Sequence, residues 1–558
     1  MKQNKLFINK EELHMKKIIA FTLVMVMSIS MLAGCGKTGK KASGDGTLTV
    51  GITDNALVTD YETNAYTLWL EEQTGLDLKF HVFAASSADA KSQLATMVAG
   101  GEELPDVIIG LGLGDSEIKD YGDDKYFIDL KDYLYDKKKS ANFWELFTEM
   151  YPDEEEQKVQ LNRITDPENG AIYAFPSMEK SMIDTIDSMV YINKTWLDKL
   201  GLEMPNSNES LREVLKAFVT KDPNGNGKRD EVGIAGRAYG VTGHSAISWI
   251  LNNFCLVSNN QWFNVNEKGK LSLPFASDEY REALIYMNEL TKENLLTKSI
   301  WNMTPSDTSK LMNPVDGVNT VGIFVGHPSS VLQEGYMNHC EYVSLPYWGY
   351  AMENEQTLSK IVYITEDCED VDAAWDLIMA MNTKEAGYRT RYGEFGVDWD
   401  YADKGTKSFL DLDAEIKILN PAQWATINNS NWHRTFGTIL TNSENEVTQL
   451  PDEKDEWAMN KYRLMRESYD NFQAALKAKP YTKMSDLIYT EEEKVAIEAE
   501  RTNCQAWINT MTSQFVCGTE GLDPANDKHW QSYLDELDRL GMDTWLKQAQ
   551  KVYDRQTK

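Results

Sequence analysis

The chain has 558 residues, 42% of them hydrophobic and 26% charged, a globular composition with enough apolar content for several domains or a few large ones. Its 87 Asp and Glu outnumber 56 Lys and Arg, for a net charge of −31, and a field of that sign repels phosphate and anionic lipid, so no nucleic-acid partner is expected. Six cysteines form no C-x-x-C pair and no zinc spacing, and the seven His residues include no pair at i,i+4.

Lys16 and Lys17 precede an apolar run over 18–32, whose 15 residues fall short of the ~20 that span a bilayer as a helix. A charged start, a short apolar stretch and small residues after it form the pattern of a secretory signal. The run ends in Leu32-Ala33-Gly34-Cys35, which resembles a bacterial lipobox. That resemblance implies cleavage before Cys35 and a diacylglyceryl group on its thiol, and hence anchoring at the extracellular face of the cell membrane. Met15 is the expected start, with residues 1–14 as an upstream extension. Cleavage removes five Lys and two Glu, which takes the charge from −31 to −34. Residues 35–46 comprise the lipidated Cys and a Gly/Lys/Ser-rich tether. The G-x-x-x-x-G-K spacing from Gly34 to Lys40 lacks both a preceding strand and the following Ser/Thr, so it is not a phosphate loop.

Thr47-Leu-Thr-Val-Gly-Ile-Thr53 alternates with β-branched residues and predicts a strand. A helix over 62–74, a strand over 76–82, a helix over 88–99 and a strand over 106–109 follow, in the βαβαβ order of a doubly wound sheet. The loops after its strands, beginning at Asp54, Phe83 and Gly110, are then candidate ligand loops. Further strands are expected near 190–193, 320–325, 342–345 and 360–364, with helices over 279–293 and 372–382 and a helical C-terminus. Trp196, Trp375, Trp507 and Trp545 lie in amphipathic helical patterns and are expected in the core. Repeats and low-complexity tracts are absent from the sequence.

Four segments, taken in order, resemble the extracellular solute-binding proteins of carbohydrate ABC importers, in the large lipoprotein branch related to maltose- and alginate-binding proteins. They are Glu103-Leu-Pro-Asp-Val-Ile108, Asn169-Gly-Ala-Ile-Tyr-Ala-Phe-Pro176, Tyr191-Ile-Asn-Lys194 with Trp196-Leu-Asp-Lys-Leu-Gly-Leu202, and Tyr392-Gly-Glu-Phe-Gly-Val-Asp-Trp399. The resemblance spans residues 35–558. It implies a two-lobed α/β fold of the periplasmic-binding-protein type, each lobe a doubly wound sheet, with the ligand in the cleft between them. It places crossings near 176–184, 344–348 and 392–400, so that lobe 1 is 47–177 plus 346–392 and lobe 2 is 178–345 plus 393–558. It implies a monomeric receptor that hands an oligosaccharide to the transmembrane subunits of an ABC importer. A receptor for peptides or other small solutes is the alternative on the same fold; an adhesin lipoprotein is a third reading. The sequence contains no G-x-S-x-G, H-E-x-x-H or kinase set, and no one carboxylate pair stands out among 87 acids, so a binding role without catalysis is expected.

Asp222-Pro-Asn224-Gly-Asn226-Gly227-Lys228-Arg-Asp230-Glu231 matches the start of an EF-hand loop: oxygen donors at positions 1, 3, 5 and 9, Gly at 6, and the Lys228 carbonyl at 7. Position 12 is Gly233 instead of Glu, and Glu231 at position 10 is the candidate substitute carboxylate. A structural Ca²⁺ is expected here. A sugar needs aromatic faces against its C–H surface and carboxylates or amides for its hydroxyls. The candidates are Asn55 and Asp115 in lobe-1 loops, His327 after the 320–325 strand, Trp348, Glu394 and Trp399 at the crossings, Trp432 in the polar loop Asn428-Asn-Ser-Asn-Trp432, and Trp249 and Trp301.

Overall fold

The structure is a computed structural model that describes residues 46–557 apart from 178–180, 239–244, 258–261, 315–316, 333–340, 355, 422, 424–425, 434–443 and 485. The signal segment, Cys35 and the tether up to residue 45 lie outside the described residues. Among the described residues no helix is long and apolar enough to cross a membrane.

Thirteen strands occur among the described residues in chain order. They are β1 (Thr47–Thr53), β2 (Asp77–Phe83), β3 (Val107–Ile109), β4 (Phe175–Ser177), β5 (Val190–Asn193), β6 (Val232–Ala235), β7 (Asn264–Val265), β8 (Leu271–Ser272), β9 (Val321–Val325), β10 (Tyr342–Ser344), β11 (Ser359–Ile364), β12 (Trp399–Tyr401) and β13 (Ile416–Ile418). The helices Ala65–Thr74 and Ser87–Gly100 separate the first three strands, as their spacing predicts. Asn64 caps the first helix, its side chain accepting from the Tyr66 N–H at 3.1 Å, and Gly75 closes it at φ 74°.

The first sheet has the order β2-β1-β3-β11-β4, with β1 parallel to β2 and β3. Period-2 alternation buries both its faces. Val107 and Ile109 of β3 and Val362 and Ile364 of β11 enter one core, with Leu70, Phe143 and Trp375 from helices. Ile108 and Tyr363, between them, enter a second core with Leu94 and Ile118. The second sheet, β10-β5-β9-β6, anchors the largest core, which takes in the helices Asn208–Thr220, Asp278–Lys292, Glu456–Ala478 and Glu498–Cys517. Both sheets are mixed. β11 runs antiparallel to β3 and β4, and β5 antiparallel to β9 and β10, because these strands return from the other lobe or lead into it.

The chain leaves the first sheet between β4 and β5 and returns between β10 and β11. Gln356 ties these crossings together. Its Oε1 accepts from the Ser181 N–H at 2.9 Å and its Nε2 donates to the Ser181 carbonyl at 2.8 Å. Beyond the third crossing expected near 392–400, the chain touches both lobes. Val58 bridges Asn428, and Trp432 is buried in the first lobe's core, whereas Phe409 and Leu410 join the second lobe's core. The described residues between 393 and 433 therefore pack on both lobes. Trp196, Trp375 and Trp545 are buried core residues, and Trp507 packs partly buried against the largest core.

Candidate ligand site between the lobes

A cavity of 870 Å³ lies between the two lobes. One wall is the carboxyl end of β3 and the start of β11: Gly112 to Asp115, Lys119, Tyr173 and Lys360. The other is built by the second lobe, with Trp262, Phe263, Tyr489, Gln505 and Trp545. The position is where an open α/β sheet presents its ligand loops, and the volume is that of small-molecule sites. Trp262 is held by Phe275 at 5.2 Å and Trp545 at 5.9 Å between ring centroids, an aromatic wall fixed by the core behind it. Opposite it, the helix Asp115–Asp123 starts at the cavity, and the Asp115 carboxylate pairs with Lys360 Nζ at 2.9 Å. A second cavity of 450 Å³ shares Phe263, Met484 and Asp486 with the first and is walled by Thr185, Met352 and Gln356 of the crossings.

Of the residues proposed from sequence, Asp115 alone lines this cavity. Asn55 makes a turn: its Oδ1 accepts from the Leu57 N–H at 3.0 Å and its carbonyl from the Val58 N–H. The Glu394 side chain is exposed at a turn fastened by its N–H donating to Asp398 Oδ2. Trp348 is partly buried and donates to Asn208 Oδ1 at 3.0 Å, and Trp301 packs partly buried on the large core.

Trp249, Trp399 and Trp432 are corrections: all three are buried and offer no face to a ligand in this structure. Trp249 fills the second lobe's core beside Trp348. Trp399 packs between Tyr388 and Phe395, with its Nε1 donating to the Gly393 carbonyl at 2.9 Å. Trp432 stands edge-on to Tyr66 and Phe80 and donates to Thr67 Oγ1 at 3.0 Å. Sequence reasoning passed over Trp262, Tyr173 and Lys360. Tyr173 stands inside the motif 169–176, and Trp262 follows the polar run Asn259-Asn260-Gln261, the one local signal that could have marked it.

His327 lies two residues past β9, as Arg237 lies two past β6, at the carboxyl edge of the second sheet. Burial pulls its imidazole down to about 4, with Lys461 and Arg237 acting in the same sense and Asp184 opposing them. This ring is neutral at physiological pH.

The loop 222–231 folds around Asp222, whose Oδ1 accepts from the N–H groups of Gly225 and Asn226 and whose Oδ2 accepts from Gly227. Gly225 and Gly227 take φ of 76° and 75°, the left-handed turn that Gly at position 6 serves. Asp230 accepts from the Asn224 and Asn226 amides, and Lys199 Nζ donates to the Pro223 carbonyl at 2.6 Å. Among the described residues no three His, Cys, Asp or Glu side chains already converge as a metal cluster. The donor set nevertheless fits a hard cation, since Glu231 Oε1 is buried without a hydrogen-bond partner and burial beside Asp230 and Asp222 raises that carboxyl above its ordinary range. Gly233, at position 12, lies in β6, where a Cβ would come within 2.3 Å of the Leu295 carbonyl oxygen, so no Glu fits there.

The chain is similar to the fructooligosaccharide ABC transporter substrate-binding protein FusA of Streptococcus pneumoniae, 23% identical over 508 residues that cover 87% of this chain and 86% of FusA. It is 32% identical to lipoprotein LipO of Bacillus subtilis over 181 residues, 32% of this chain and 34% of LipO. The fold matches FusA in complex with kestose and a FusA EF-hand mutant in complex with fructo-nystose, each at TM-score 0.67 and 21% identity over 91% of this chain and 99% of that one. It also matches a human-milk-oligosaccharide (HMO)-binding solute-binding protein of Bifidobacterium longum infantis, at TM-score 0.70 and 20% identity over 92% and 100%. The sequence profile of the bacterial extracellular solute-binding proteins matches residues 50–388. With two α/β lobes, passages of chain between them after β4 and after β10, and a cavity at their junction, the chain belongs to the bacterial extracellular solute-binding protein family.

Proposed function

We propose that this protein is a lipid-anchored extracellular receptor that captures an oligosaccharide between its lobes and passes it unchanged to the transmembrane subunits of an ABC importer. The observation that carries the reading is the 870 Å³ interlobe cavity, lined by the Trp262, Tyr173 and Tyr489 rings together with polar and charged side chains from both lobes. Sugars need that pairing, because a pyranose or furanose ring has apolar C–H faces and a hydroxyl rim. FusA, named for fructooligosaccharides, and the human-milk-oligosaccharide-binding relative support the substrate class. The lipobox at Cys35 and the likeness to a lipoprotein support the anchor, and the EF-hand of FusA supports a calcium ion held by Asp222, Asn224, Asn226, the Lys228 carbonyl, Asp230 and Glu231. The protein acts as a monomer in this account, its two lobes supplying both walls of the site.

A thermal-shift screen against plant, host and microbial oligosaccharides tests it, since a ligand that binds only the folded state raises the melting temperature. At least one glycan should raise the melt and be recovered intact. Released reducing ends, or stabilisation by a peptide and by no glycan, would contradict the reading.

A further inference from the structure

The cavity is rich in charge, and that charge is balanced. Five basic side chains are among its described lining, and each has an acidic partner. Lys360 pairs with Asp115 at 2.9 Å, Arg163 with Asp486 at 2.7 Å and Lys494 with Glu491 at 2.6 Å. Lys119 pairs with Asp123, and with Glu168 at 3.4 Å, and Arg501 pairs with Glu498 at 2.5 Å. The acids are engaged as well. Asp166 caps a turn by accepting from the Glu168 and Asn169 N–H groups, and Glu168 accepts from the Glu491 N–H. Asp115, Asp166, Glu168, Asp486 and Glu491 match the five cations in number.

We infer that the interlobe cavity selects neutral oligosaccharides and rejects uronates and other acidic glycans, because every cation among its described lining is already paired with a carboxylate. The inference rests on the reading of this cavity as the oligosaccharide site. Hydroxyl groups can bridge the rims of such ion pairs, donating to the carboxylate and accepting from the ammonium or guanidinium, without separating them. A ligand carboxylate cannot. It must either displace a protein carboxylate, leaving that group uncompensated, or remain beside Asp115, Asp486 or Glu168 as a like charge, and both raise the free energy of the complex. The chain's charge of −31 adds a long-range field of the same sign. Arg163–Asp486 and Ser116–Glu491 also join the two lobes across the cavity, so breaking these pairs would loosen their junction.

Isothermal titration of the purified protein with two matched sets separates the possibilities: neutral tri- and tetrasaccharides of fructose, galactose and glucose, and tri- and tetragalacturonate. The best neutral glycan should bind at least about tenfold more tightly than either galacturonate. Asp115→Asn, which releases Lys360, should narrow that gap by strengthening galacturonate binding, with the melting temperature confirming a folded variant. A galacturonate bound as tightly as the best neutral sugar overturns the inference, and if Lys360→Gln then abolishes that binding, the site itself stands. Neutral binding unchanged in both Trp262→Ala and Lys360→Gln shows the site to be elsewhere and overturns the inference with it. Binding by neither set contradicts the oligosaccharide reading as well.

Discussion

Trp432 and Trp262 show how one residue type divides between folding and recognition. Trp432 is closed in by Tyr61, Tyr66 and Phe80, and the asparagines around it, which look like a ligand rim in sequence, serve as fasteners. Asn431 Nδ2 donates to the Arg391 carbonyl, Asn64 Nδ2 to the Asn431 carbonyl, and the Thr59 N–H to the Asn428 carbonyl. A polar loop can bury a Trp when its amides satisfy the backbone at the same time, and no period in the sequence reveals this. Trp432→Ala should cost about 3–5 kcal/mol of stability, the range for truncating a buried aromatic, as read by denaturant unfolding; an unchanged midpoint would contradict the burial. Trp262→Ala, at the cavity wall, should spare most of the stability and weaken glycan binding by ~1–3 kcal/mol, the value of a buried side-chain face. Calorimetry on the best ligand of the screen measures that loss. Glu446 gives the residue scale its pH dependence. It is buried, its Oε1 accepts from Ser181 Oγ and the Ile183 N–H at 3.0 Å each, and burial beside Asp184 pushes its carboxyl up to about 7. The folded state holds this proton more tightly than the unfolded chain, so its contribution to stability is full at low pH and is lost as pH rises from 4.5 through about 7. Glu446→Gln keeps the acceptor and removes the charge. Its melting temperature should therefore exceed that of the unsubstituted protein at pH 8 and not at pH 4.5; parallel pH profiles would refute this.

At the scale of elements, the β-branched first strand was the most legible, whereas the buried strands Phe175–Ser177 and Val232–Ala235 were not anticipated. Thr47–Thr53 matches its predicted span, because β-branched alternation bounded by turn residues has few other solutions. The helix predicted over 62–74 begins at Ala65, since Asn64 is the cap and the residues before it form a turn with Tyr61. Antiparallel pairing was not legible, because strand direction depends on where the chain comes from and not on local pattern. The turn of the 222–231 loop was legible through its glycines and Asp222, and the structure supplies the reason for its departure at Gly233. Calcium should raise the melting temperature, by the equivalent of about 2.7 kcal/mol at a hundredfold excess over Kd. Asp222→Ala should abolish that response by removing the side chain that accepts three N–H groups of the loop. A melt indifferent to calcium and chelator in the unsubstituted protein would exclude the ion.

For the whole molecule, the two-lobed plan could be read from four short segments, and the first two crossings fall between strands that the sequence marks. No pair of strands marks the third, and the described residues between 393 and 433 divide their apolar side chains between two cores, with Trp432 in one and Phe409 in the other. The site suffered in the same way: its walls come from residues as distant as Asp115, Trp262, Lys360 and Tyr489, and such convergence is a property of topology. A ligand gripped by both walls would favour a state in which the walls are near. The account is tested most directly by a crystal structure of the protein with the glycan that most raises its melting temperature. It predicts the sugar in the cavity between the Asp115–Lys360 pair and the Trp262 ring. A sugar seated instead at the carboxyl edge of the second sheet, against His327 and Arg237, would contradict it.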